Sequence, residues 1–388
     1  MKKKDIFLDI RPYQDEDVPY VVNRLLMSQH FVSCLVNFID EVPLSTLVRD
    51  MRKIKTIEEL QHTIFRPIIN TFVQRSIDSL TFGGFDQVDM HKPHLLIANH
   101  RDILMDSAML QVYLIEHGLP TTRSAIGDNL LSSPLITDLA KINNMFTVFR
   151  FHNTRSMLAS SKHLSEYIRQ SVVKDKRSVW LAQRNGRTKD GLDKTQQGLL
   201  KMIRSSSKLP LIDSLKELNI IPLTVSYEYE PCDQMKAREL VLTRQNKGYV
   251  KSPQEDFESI TKGVFSYKGR VHMQLGKPLN DKLDEVAQME FSSDNDALQY
   301  IAELIDKEIY QDFRLWENNY MAYDILHNTE RFAEEYMAAE KKEFVKYLRR
   351  QANMADVNYT KMKQQLLAIY ANPVESYLKT VDGMEVSE

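Results

Sequence analysis

Asn99, His100, Asp102 and Asp106 are the most chemically suggestive group in the sequence. They follow Leu95-Leu96-Ile97-Ala98, an apolar run with the length of a buried strand, and they precede an apolar stretch at helical spacing. A histidine where a strand gives way to a helix, with a carboxylate in reach to orient its ring, is placed to take a proton from a hydroxyl. Asp106 is the preferred partner for His100, and Asp102 is the alternative. Five residues separate His100 from Asp106. If all of them were helical, each would turn the carboxylate by about 100°.

Three further blocks follow in order. Phe146-Thr147-Val148-Phe149-Arg150 reads as a strand that delivers an arginine at its end. Gln183-Arg184-Asn185-Gly186-Arg187-Thr188-Lys189-Asp190-Gly191 is a polar, cationic loop directly after the apolar run Ser178–Ala182. Ile220-Ile221-Pro222-Leu223-Thr224-Val225-Ser226-Tyr227 is a second long apolar run. Arginine presents a planar, permanently charged fork suited to phosphate oxygens, and a glycine such as Gly186 lets backbone approach an anion closely.

The elements that must hold these blocks can be read around them. Between about residues 86 and 280, apolar runs at His94–Ala98, Thr122–Ile126, Met145–Phe149, Ser178–Ala182, Ile220–Tyr227 and Arg270–Leu275 alternate with amphipathic stretches near 102–116, 132–141, 154–172 and 195–205. This alternation predicts an α/β fold, a mixed and largely parallel sheet flanked by helices. In such sheets ligands sit beyond the carboxyl ends of the strands, where Asn99, His100 and Arg150 all fall. Helical spacing at 18–39 and 56–80, the capping-box pattern Thr56-x-x-Glu59 and the break at Gly83-Gly84 predict a helical N-terminal domain over 1–85. An acidic helical region is expected over 281–388, with patterns at 294–312 and 330–350.

The formal net charge of −2 hides a polarised chain. Fourteen Lys and Arg face four acids between Arg150 and Lys208, whereas twelve face twenty-two from Asp281 onward. The basic stretch implies an anionic partner. Exposed aromatics interleaved with cations, the pattern of a nucleic-acid surface, are missing from 184–204. Cys34 and Cys232 stand alone without metal-like spacing, which points to a reducing compartment. No run approaches the ~18 apolar residues of a membrane span, and the basic start runs into acids rather than into a secretory core.

Taken together and in this order, the four blocks resemble the glycerolipid acyltransferase family, the glycerol-3-phosphate and 1-acyl-sn-glycerol-3-phosphate acyltransferases, over roughly residues 90–230. The resemblance implies that His100 and Asp106 form the catalytic pair, that Arg150, Arg184, Gly186, Arg187 and Thr188 hold the acceptor's phosphate, and that Pro222 borders the acyl donor. It implies an acyl-carrier-protein or coenzyme A thioester as donor substrate, no metal or other cofactor, and a lysolipid or glycerol phosphate acceptor, with lysophosphatidate preferred. It also implies a cytoplasmic protein resting on an anionic membrane surface. Two departures stand out. The family's usual spacing has four residues between His and Asp, and the acid that usually precedes the glycine of the third block is replaced here by Asn185 or Arg184, depending on register. A non-phosphorylated lysolipid acceptor, such as an amino-acid lipid, is the alternative substrate, and a non-catalytic binder of anionic lipid is the alternative class.

Overall fold

The computed structural model describes residues 5–39, 42–150, 154–246, 249–250 and 252–381. Seven strands form one sheet: β1 Ile77–Gly83, β2 Leu95–Ala98, β3 Arg123–Gly127, β4 Met145–Val148, β5 Val179–Ala182, β6 Ile220–Tyr227 and β7 Gly269–Leu275. Their order is β1-β7-β6-β2-β5-β3-β4, and every neighbouring pair is parallel except β6 and β7. β2 is central and wholly buried. A strand covered on both faces has no use for polar alternation, which is why Leu95–Ala98 reads as a continuous apolar run.

β2 feeds both halves of the core. Leu96 and Ala98 join a cluster with Met109 and Leu110 of the helix Met105–Glu116, while Leu95 and Ile97 join one with Ile168, Leu200, Ile301 and Ile305 on the opposite face. A third cluster is built from the helices Glu317–His327, Ala338–Asn353 and Tyr359–Val381 and includes Ala237.

β2 to β7 occupy the six apolar runs read from the sequence. β1 does not follow from that reading, because Ile77–Leu80 continues a helical spacing. The helix Arg66–Ser76 ends at Ile77, whose backbone is extended, and β1 pairs in parallel with β7. The handover from helices to sheet therefore lies at Ile77 rather than near residue 85. Nor do the N-terminal helices have a core of their own, since Val18, Leu25, Leu35 and Leu60 share one cluster with Leu96, Val225 and Val271. The capping box at Thr56 is present, with Thr56 Oγ1 accepting from the Glu59 N–H at 3.1 Å.

Candidate active site

β2 ends at Ala98, and the next helix starts only at Met105. Residues 99–104 form an irregular loop, so the helical rotation expected between His100 and Asp106 does not operate. Asp106 lies in the first turn of the helix and reaches back over the loop. Its Oδ2 accepts from His100 Nδ1 at 2.8 Å and from the N–H groups of Arg101 (2.6 Å) and Asp102 (2.9 Å), while Oδ1 accepts from the Tyr227 hydroxyl at 2.7 Å. Burial alone would raise the carboxyl's pKa, but these donors outweigh it and hold Asp106 below the ordinary carboxylate value. The Tyr227 phenol is pushed the other way, by burial and then by Asp106 itself, so it stays protonated and donates. The side chain of Asp106 is 1% exposed and that of His100 is 13% exposed, so the acid is sealed while the ring retains access to solvent. Trp180 packs edge-on against the imidazole with ring centroids 5.4 Å apart.

Asp102 is not the partner of His100. Its Oδ1 accepts the N–H groups of Leu104 and Met105, both at 2.9 Å, and so caps the start of the helix. Its buried Oδ2 faces Gly263, where a Cβ would come within 2.3 Å of it.

A buried polar network supports the loop from the other side of the sheet. Asn99 continues the β2–β6 ladder with its side chain, accepting from the Val225 N–H at 2.7 Å and donating to the Val225 carbonyl at 3.0 Å. Its amide also donates to Asp193 Oδ2 at 3.0 Å. Arg101 spans Asp193 and Glu230, and Lys236 donates to Glu230 and, at 2.6 Å, to the Arg101 carbonyl. Two cations and two anions are thereby neutralised in a buried cluster. Burial opposes the Arg101 charge, yet the two carboxylates hold its pKa above the ordinary value. The sequence carries no signal for this cluster beyond isolated charges, because only the fold brings positions 99, 101, 193, 230 and 236 together.

The cationic loop is joined to the His100 loop through Thr188. The Thr188 N–H donates to the His100 carbonyl at 2.8 Å and its hydroxyl to Asp193, and the residue is fully buried. Thr188 therefore ties the loop to His100 instead of presenting a hydroxyl to a phosphate. Arg184 turns back on its own loop, with Nη1 3.4 Å from the Leu192 carbonyl. Gly186 adopts φ +72° with open space around it. Arg187 is half-buried and bears on the Cys232 thiol, and its Nη1 has no hydrogen-bond partner among the described residues. Arg150, exposed at the end of β4, lies beside Gly127, and its N–H donates to Asp128 Oδ1 at 3.3 Å. β4 stands three strands from β2, or roughly 14 Å at ordinary strand spacing, so Arg150 shares the carboxyl edge with His100 at a distance. Pro222 is buried inside β6, its carbonyl accepting from the Gly276 N–H at 2.9 Å.

A polar cleft of about 370 Å³, lined among others by Arg270, Arg314, Trp316, Tyr320 and Tyr377, contains no residue of the four sequence blocks.

Residues 79–226 match the family model described as Acyltransferase. The solved structure of the 1-acyl-sn-glycerophosphate (LPA) acyltransferase PlsC from Thermotoga maritima is similar at 12% identity, covering 77% of this chain and 96% of that one with a TM-score of 0.38. No curated protein matches the chain.

Proposed function

From the acyltransferase domain over residues 79–226, we propose that this protein moves a fatty acyl group from a carrier-protein or coenzyme A thioester to the free hydroxyl of lysophosphatidate, with glycerol 3-phosphate as the nearest alternative acceptor. The observation that carries this reading is the His100–Asp106 pair, a partly open imidazole whose Nδ1 is fixed by a sealed, fully bonded carboxylate. With Nδ1–H donating to Asp106, Nε2 is the basic nitrogen of the neutral ring.

In the proposed step, Nε2 takes the acceptor's hydroxyl proton as its oxygen attacks the thioester carbonyl, and Asp106 stabilises the imidazolium that forms. Collapse of the tetrahedral intermediate breaks the C–S bond, and the proton held on Nε2 passes to the departing thiolate. An ester and a free thiol result, and the ring returns to its starting state. The attacking hydroxyl belongs to the acceptor, so no protein nucleophile takes part.

Arg187 is the leading phosphate ligand in this reading: it directly follows the open Gly186 turn in sequence, and its Nη1, which is buried and has no hydrogen-bond partner among the described residues, would reach a phosphate once the half-buried side chain rotates outward. Arg150 and Arg184 add positive potential along the same edge. Among the described residues no helix is long and apolar enough to cross a membrane. Contact with an anionic bilayer, the setting a lysolipid acceptor calls for, is supported by the helix Thr154–Arg169, which exposes Met157 and Leu158 next to the basic Arg155.

The test is a mass-spectrometric transfer assay offering acyl-carrier-protein and coenzyme A donors to lysophosphatidate, glycerol 3-phosphate and a non-phosphorylated lysolipid, with anionic vesicles present. Phosphatidate formed by the native protein and lost in His100→Ala is the expected result. Absence of His100-dependent transfer to all three acceptors refutes the proposal.

A further inference from the structure

Arg101 separates His100 from Asp102, and its backbone is held at both ends. Its N–H is one of the donors that fix Asp106, and its carbonyl accepts from Lys236. Its side chain reaches the two acids Asp193 and Glu230 on the far side of the sheet. The long helix Tyr359–Val381, which lies outside the segment matched by the family model, touches the chain segments that carry both acids, at Asp190–Gly191 and at the Glu230 backbone.

On the Asp193 side, the Asn372 amide donates to the Asp190 carbonyl at 2.7 Å, and Gly191, at φ +81°, lies so close to the helix that a Cβ there would come within 2.3 Å of the Ile369 carbonyl oxygen. On the Glu230 side, the Tyr370 hydroxyl accepts the Glu230 N–H at 3.1 Å and donates to Asp233 Oδ2 at 2.9 Å, and Tyr347 donates to the same oxygen at 2.7 Å.

We propose that Arg101 is a positioning residue for the His100–Asp106 pair, and that the helix Tyr359–Val381 holds it in place by fixing its two acidic anchors. The active site then extends beyond the acyltransferase segment, and the C-terminal helices form its rear wall. This rests on the general-base reading of His100.

The experiment compares Tyr370→Phe, Asn372→Ala and Arg101→Lys with the native protein in full-length form. Two readouts are taken: kcat and acceptor KM for acyl transfer, and the downfield proton resonance of His100 Nδ1–H, identified by its loss in His100→Gln. Lys379→Ala, at the exposed end of the same helix, is the control and keeps native values. For Tyr370→Phe and Asn372→Ala, kcat falls about three- to tenfold, the effect of one hydrogen bond, with KM unchanged and the resonance shifted. Arg101→Lys loses more, because a lysine keeps the charge but not the fork that bridges two acids. Folded variants with native kcat and an unmoved resonance overturn the proposal, and if Arg101→Lys does not fold, the two helix variants decide. If the native protein shows no His100-dependent transfer, the general-base reading fails separately, and the resonance still reports whether the helix positions the ring.

Discussion

Asp106→Asn separates charge from geometry at this site. The three donors on Oδ2, two of them backbone N–H groups, leave no room for an amide NH₂ there. The asparagine oxygen must take that position, and its NH₂ then faces the Tyr227 hydroxyl, which can rotate to accept. The His100 tautomer is kept, and only the negative charge that steadies the imidazolium is lost. A hydrogen bond to a charged group contributes about 1.5–3 kcal/mol, which at about 1.4 kcal/mol per factor of ten is a loss of roughly 10- to 150-fold in kcat. In a serine-protease triad, where the same change leaves the wrong tautomer, the loss is about 10⁴. The assay is steady-state acyl transfer with the fold checked by circular dichroism. A loss near 10⁴ in folded protein would show that the backbone N–H groups do not control the amide's orientation. A loss below threefold would show that Asp106 does not act through His100.

Other expectations follow from single contacts. Gly263→Ala, which in an ordinary helix stabilises by up to about 1 kcal/mol, should instead destabilise by about 1–3 kcal/mol, because its Cβ meets Asp102 Oδ2; a higher urea midpoint would contradict this. Arg187→Ala should raise the KM for a phosphorylated acceptor at least tenfold and leave that for a non-phosphorylated lysolipid unchanged, and equal effects on both would remove Arg187 from the phosphate site. Burial pushes the Asp306 carboxyl up to about 6 from 3.8, against the Thr195 N–H that it accepts at 2.7 Å. With the native pKa above the unfolded one, the folded state binds more protons across this window, so this stability contribution is complete below about pH 4 and is lost as pH rises to about 6. Asp306→Asn should therefore stabilise the protein at pH 7 by up to about 3 kcal/mol, with the gain gone by pH 4 in urea titrations; a gain that does not vary with pH would refute the linkage.

The sequence made the strand ends legible because β2 and β6 are buried on both faces, and such strands write themselves as uninterrupted apolar runs. His100 and Asp106 were legible for the same reason, since polar residues stand out where such a run stops. β1 was not, because a half-exposed strand following directly on a helix keeps enough apolar spacing to pass for more helix. The choice between Asp102 and Asp106 depended on where the helix begins, which cap geometry decides and residue spacing does not. Thr188 and the Arg101 cluster depended on tertiary contact alone. Thr188 looks like a ligand residue in a cationic loop until Asp193, five positions on, is seen to take its hydroxyl.

The antiparallel pairing of β7 with β6 has a practical consequence for dissecting the protein. All eight residues of β6 are buried, and β7 covers its edge from Leu223 to Tyr227. A fragment cut to residues 79–226 would strip away that cover and leave β1 without its partner, baring a row of unpaired backbone groups on an apolar strand. Such an edge templates pairing with other copies, so the excised fragment should precipitate or swap strands rather than behave as a minimal enzyme.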